Sequence, residues 1–353
     1  MLVTIVPSLQ HLAIVKIAVC VYTSPEVRKF EKNMMGCFGF SEIHEREWIS
    51  FIRERVSHCA LQEKFQKKVI DFMKPLSLEL CLWHTHLNKM FVFHAPTITP
   101  VWNSAGTIDQ LRTARKLVHC QDLPFLERFS LACHFWMTDD VLEIWKETPL
   151  QEREKAIQNM RRNEFSLFMN EKVRKLRKEF LNKWIEWMDE GAVDHEQYYF
   201  YCFSLFSMPY LPMQSYLLKK ASPQATLDAL RDRLRSNPRL NDLEYACLLN
   251  LDVNYQEELR KTEPYGLLMA FLHHPLQNHF LKMAELVGDY LKEEEFDNLL
   301  FSIFLKLREG WKDYDYRDLL KNFFFRSPME FRMLDKKSAF FRSFASILSE
   351  YLE

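Results

Sequence analysis

The sequence predicts an all-α protein, an irregular array of antiparallel helix hairpins of the α-solenoid kind with no substantial β-sheet. Three observations carry that reading. Glycine is scarce, 7 residues in 353, whereas folds built on hairpins and phosphate loops use it at every tight turn. Apolar residues recur at spacings of three and four, as in Leu227, Leu230 and Leu234, or Leu299, Leu300, Ile303, Phe304 and Leu307, which places them on one face of a helix. Finally, a Ser/Thr-Pro step recurs in "TSPEV", "ETPLQE", "ASPQAT" and "RSPMEF"; a hydroxyl can cap free helix amides, and proline in the first helical position forfeits no hydrogen bond. About fourteen to eighteen short helices are expected from this punctuation.

The length of 353 residues admits two domains or one elongated array. Three regions are expected: residues 1–149, a long basic amphipathic bridging helix at 150–190, and a helical-hairpin region at 191–353. In the first, "HLAIVKIAVCVY" is interrupted by Lys16, and no basic segment precedes it; neither a signal peptide nor a membrane span fits. Only "KMFVFHAPTITPVWN" (89–103), with β-branched residues and two prolines, reads as extended. The bridging helix carries an apolar stripe of Phe165, Met169, Val173, Leu176, Phe180, Trp184 and Met188. On its other faces, ten Lys/Arg stand against five Glu between Glu152 and Lys183, densest in "KVRKLRK". Lys172, Arg174, Lys175, Arg177 and Lys178 are therefore the candidate partner-binding residues, suited to an acidic protein partner. An ordinary solvated face, with Glu164, Glu171 and Glu179 spaced to pair with nearby bases, is the competing reading. In the last region "ELVGDYLKEEEFDN" is acidic and could complement the basic face.

The 8 cysteines are scattered, without C-x-x-C, and read as buried free thiols of a reducing, cytoplasmic compartment. A formal charge of −1 argues against nucleic-acid binding by bulk charge.

"LACHFWMTDDVLEIWKETP" (131–149) and "YACLLNLDVNYQEELRKTEP" (245–264) share Ala-Cys, a half-helix, Asp-Val, a second half-helix and a closing Thr and Pro; "YCFSLFSMPYLPMQSYLLKKASP" is a looser third copy. Leu131-Ala132-Cys133 with Asp140-Val141, and Ala246-Cys247 with Asp252-Val253, resemble the core of ankyrin-type hairpins over about forty residues. The family's Thr-Pro-Leu-His opening and turn glycine are missing. The resemblance implies protein–protein binding by a concave helical surface, without catalysis.

Asp139, Asp140 and Glu143 form a D-D-x-x-E string, the form of a class I isoprenoid or terpenoid magnesium box, in which carboxylates on one helix face hold the ion against a diphosphate. That chemistry needs a second acidic cluster. The nearest candidate, "NDLEYACLL" at 241, has Asn241 and Asp242 but Tyr245 and Leu249 where further ligands belong. The preferred reading makes Thr138 or Asp139 the cap of a helix starting at Val141. His84, His86 and His94, and His273, His274 and His279, lack zinc spacing and read as surface or partly buried histidines. Cys133-His134 point about 100° apart on a helix, which does not favour a nucleophile and base. The aromatic runs at 196–203 and 322–325, with Trp184 and Trp187, read as filling between helices. Altogether the sequence predicts a non-catalytic interaction or scaffold protein without cofactor. Its alternatives are the isoprenoid-type enzyme, and anionic-membrane or RNA binding through the basic helix.

Overall fold

The computed structural model describes residues 8–34, 42–90, 99–161, 171–191 and 222–332. Those residues are helical with short connections, and among them no strand forms; a lone antiparallel bridge joins Trp102 to Ile108. The all-α class is thus the class the chain adopts. The described helices surround two hydrophobic cores.

The first core is enclosed by α1 (Leu9–Tyr22), α2 (Pro25–Met34), α3 (Glu42–Ser57), α4 (Glu63–Asp71), α5 (Met73–Met90), α6 (Gln110–Val118), α7 (Phe125–His134), α8 (Thr138–Glu147), α9 (Leu150–Arg161) and α10 (Glu171–Asp189). Trp48, Tyr22, Phe129, Met73 and Leu76 lie fully inside it. Both α9 and α10 pack on α7. Of the expected stripe on α10, Phe180 and Trp184 are buried and Met188 is half-buried, with Leu181, Ile185 and Trp187 buried beside them. Trp184 meets Trp136 at 4.8 Å and Trp187 at 5.4 Å between ring centroids, so the helix is fixed along its C-terminal half by aromatic packing. Residues 162–170, and with them Phe165 and Met169, lie outside the described residues.

The second core is enclosed by α11 (Pro223–Ser236), α12 (Asp242–Asn250), α13 (Val253–Thr262), α14 (Pro264–Phe271), α15 (Phe280–Val287), α16 (Glu293–Arg308) and α17 (Tyr316–Arg326). Leu227, Leu230, Leu234, Leu299, Leu300 and Ile303 are buried within it, as their spacing predicts. Gly266 sits where α14 crosses α11: a Cβ there would stand 2.9 Å from both Leu234 Cβ and its carbonyl oxygen. Absence of a side chain sets that approach. Phe323 and Phe324 fill this core, while the run at 196–203 lies outside the described residues.

The Ser/Thr-Pro steps divide into two kinds. Ser24 and Ser222 accept from the amides of Val27 (3.4 Å) and Ala225 (3.2 Å) and begin helices. Thr148 and Ser327 instead donate back to Ile144 and Phe323 carbonyls (2.7 and 2.6 Å) and finish the helices before them. A hydroxyl serves either end of a helix, so the dipeptide marks a boundary without giving its direction. The cysteine expectation also needs correcting: all six described cysteines are free, but only Cys133 is buried and Cys20 is exposed.

Candidate functional site

Helix α8 begins at Thr138, not Val141, after a turn in which Trp136 adopts a positive φ of 50°. Met137 occupies the cap position and offers no side-chain hydrogen bond, which corrects the expectation that Thr138 or Asp139 caps the helix. Asp139 and Asp140 lie in the first turn, where the exposed amides favour negative charge. Asp139 and Glu143 are exposed, whereas Asp140 Oδ1 lies 3.0 Å from Nε2 of His119, the residue that follows α6. Among the described residues no three His, Cys, Asp or Glu side chains group in a way that could hold a metal ion. Asp242, the proposed second half of a magnesium box, is held elsewhere: Thr107 Oγ1 donates to its Oδ1 at 2.9 Å, and Asn103 Nδ2 donates to its Oδ2.

On α10, Lys175 is exposed to 79% of its side chain, 4.0 Å from Glu179, and Lys178 is half-buried. The side chains of Lys172, Arg174 and Arg177 lie outside the described residues. Of the histidines, His84 is half-buried and burial lowers its pKa, while His86 and His94 fall outside the described side chains. Cys133 and His134 are both buried.

The two segments that resemble ankyrin hairpins both fold as helix pairs, α7–α8 and α12–α13, yet their burial differs. Val141 is fully buried, whereas Val253 is 62% exposed, because Asp252 precedes its helix while Asp140 lies inside one.

What sequence spacing did not single out is a polar seam where the two cores meet. Its centre is the loop 99–109. Asn103 Oδ1 accepts from the amides of Ala105 (2.9 Å) and Thr107 (3.1 Å), a side-chain-built turn. Gly106 closes it at φ +83°, with Val15, Leu76 and His274 within 3.6 Å of where a Cβ would be; only glycine takes that conformation against that wall without strain. Across the seam, His274 Nε2 lies 2.8 Å from the Ala105 carbonyl and carries the proton donated to it. Glu79 of α5 accepts from the Ile108 amide at 3.1 Å and from Arg239 Nη2 at 2.8 Å. Lys74 Nζ pairs with Glu45 at 2.8 Å and donates to the Glu309 carbonyl from the second core.

Further along the seam, Trp311 is flanked by two ammonium groups, Lys306 Nζ at 3.6 Å from the ring centroid and Lys74 Nζ at 5.3 Å. Gln277 Nε2 donates to Asp313 Oδ2 at 2.7 Å, and Tyr316 OH donates to the same carboxylate at 3.2 Å. Burial pushes Asp313 and Asp242 above the usual carboxylate range. It also lowers His274 to about 4, His273 well below its usual value, and Lys306 to about 8, where neighbouring Arg239 and Lys74 assist and Asp313 opposes. A concentration of displaced titratable groups is a physical mark of a functional site or of a structural junction.

Compared with known families, curated proteins and solved structures, the chain matches none.

Proposed function

We propose that the chain is a non-catalytic interaction protein that recognises an acidic protein partner through the basic residues of α10, Lys172, Arg174, Lys175, Arg177 and Lys178. The observation that carries this reading is the division of α10 into an anchored side and a presented side. Phe180, Leu181, Trp184, Ile185 and Trp187 are buried in the first core, while Lys175 is exposed, its one ion pair among the described residues being a 4.0 Å contact with exposed Glu179. An exposed pair of that kind contributes little to stability, about 0–1 kcal/mol, so its lysine remains free to engage a partner.

The fate of the carboxylates supports the same reading. Glu31 receives Tyr22 OH at 2.9 Å along with Ser77 and Arg28, Glu79 bridges the seam, and Asp242 and Asp313 hold loop and turn. These groups join helices together, which suits a scaffold. Among the described residues no helix is long and apolar enough to cross a membrane. Cytoplasmic residence is part of this proposal, in keeping with the free cysteines.

The test is affinity capture with the purified chain beside a variant reversed to glutamate at Lys172, Arg174, Lys175, Arg177 and Lys178. A discrete protein retained by the first and lost by the second, with equal far-UV dichroism, is the expected outcome. If both chains retain the same proteins, the basic face is not the recognition surface.

A further inference from the structure

The two cores keep their helix packing to themselves. Among the described residues the well-packed helix pairs lie inside one core or the other: α7 on α6 and α8, and α1 on α4, in the first; α16 on α17, and α14 on α15, in the second. What crosses the seam is mostly polar, and the second core supplies it from helix ends and turns. Arg239, before α12, reaches Glu79 at 2.8 Å. Asp242, the first residue of α12, accepts from the Thr107 hydroxyl at 2.9 Å. His274, in the turn after α14, meets the Ala105 carbonyl at 2.8 Å. The Glu309 carbonyl, just past α16, accepts from Lys74. Phe72 adds an edge-on contact with the His274 ring, 5.4 Å between centroids.

Each lip of the seam is built without the other. On the first-core side Asn103 Oδ1 holds the Ala105 and Thr107 amides, the Val101 amide donates to Thr113 Oγ1 at 2.9 Å, and the Ile108 amide donates to Glu79. Loop 99–109 is thereby tied to α5 and α6. On the second-core side Arg233 Nη2 donates to the Arg239 carbonyl at 2.8 Å. Asn241 and Glu244 exchange amide-to-side-chain bonds at 2.8 and 2.9 Å, and the Leu276 amide returns to the His273 carbonyl at 2.8 Å. Parting the lips therefore trades cross-seam hydrogen bonds for bonds to water, a small net change per bond. Opening either core would instead expose its apolar interior.

We infer that the seam is a latch: the two cores part along it as intact bodies, and the Arg239–Glu79, Asp242–Thr107, His274–Ala105 and Lys74–Glu309 contacts open and close together. Polar junctions between separately cored units are where relative motion is expected, and their opening free energy lies below that of global unfolding. Under native conditions the closed state dominates and the open one is a minor population. The latch sets how freely one core moves against the other, whatever α10 binds.

The experiment is timed acylation of the full chain with diethyl pyrocarbonate at pH 7, read histidine by histidine by mass spectrometry. His274 lies on the seam with Nε2 engaged, His119 is 55% exposed and serves as reference, and His134 is buried in the first core. The decisive variant is Lys74→Met, which keeps the side-chain stem but removes the bond to Glu309. Lys74 bonds to Glu45 and Glu309, not to His274 or its loop, and at 24% exposure its replacement leaves both cores intact. Arg239→Gln is the second variant, and far-UV dichroism with amide exchange in α7 and α16 checks the fold. In wild type His274 is expected to react far more slowly than His119. In each variant its rate rises about tenfold, the worth of one hydrogen bond from a charged group, while His134 and the helix amides keep their wild-type protection. A His274 rate that Lys74→Met leaves unchanged would show that the contacts do not open together. Equal reactivity of His274 and His119 in wild type, or a parallel rise at His134, would likewise overturn the inference.

Discussion

Replacing Glu79 by Gln removes the carboxylate that Arg239 reaches from 160 residues away. The two side chains are 14% and 16% exposed, so the guanidinium would remain largely out of water without its counter-charge. Breaking a fully buried ion pair costs about 3–5 kcal/mol. Residual solvent contact screens part of that here, leaving about 2–3 kcal/mol for Glu79→Gln. The Ile108 amide keeps an acceptor in the glutamine carbonyl, so the loss reports mainly on the charge. Arg239→Gln leaves Glu79 with that amide and should cost less, and the double variant should recover part of the difference. Urea unfolding of the four chains in an anion-poor buffer, followed by far-UV dichroism, gives the coupling. The seam predicts about 1.5–3 kcal/mol between the two sites. Additivity within about 0.5 kcal/mol would refute the claim that this pair joins the cores.

Three further outcomes follow from local contacts. Gly266→Ala places a methyl 2.9 Å from the Leu234 backbone carbonyl; the alanine gain in helix propensity, about 1 kcal/mol, is outweighed, and a net loss of about 1–3 kcal/mol is expected by urea titration. Ser222→Ala removes the acceptor of the Ala225 amide and should cost about 1 kcal/mol in the same assay. His274 has a folded-state pKa lowered to about 4 from 6.5, so the unfolded chain binds its proton more readily as pH falls. Its contribution is complete above pH 6.5 and is lost progressively as pH drops towards 4, on the order of 3 kcal/mol. Arg239 and His11 face it with like charge, while the Ala105 carbonyl favours its proton. His274→Gln should flatten the stability profile over that window, and an unchanged profile would contradict the assignment.

Much of the fold was legible because helical packing is written in local spacing. The Leu227, Leu230 and Leu234 row is buried as read, and Phe180 and Trp184 anchor α10 as the stripe implied. The Asp139 string was legible as a first helical turn, though its cap was misplaced because the turn begins after Trp136 rather than at a polar residue. The seam was not legible. Its pairs join Thr107 to Asp242 across 135 residues and Lys74 to Glu309 across 235, and no periodicity encodes contacts of that separation. The pair His273-His274 was the one local signal. Its lack of zinc spacing said what it was not, without saying that His274 met the Ala105 carbonyl across the seam.

The central functional claim is best tested by the affinity of the captured partner for the purified chain as a function of salt. Recognition through the basic residues of α10 predicts that binding weakens as ionic strength rises, falls by more than about tenfold in the variant reversed at Lys172, Arg174, Lys175, Arg177 and Lys178, and is unchanged when Asp139, Asp140 and Glu143 are made amides. Salt-independent binding that survives the charge reversal but is lost with the three carboxylates would contradict it.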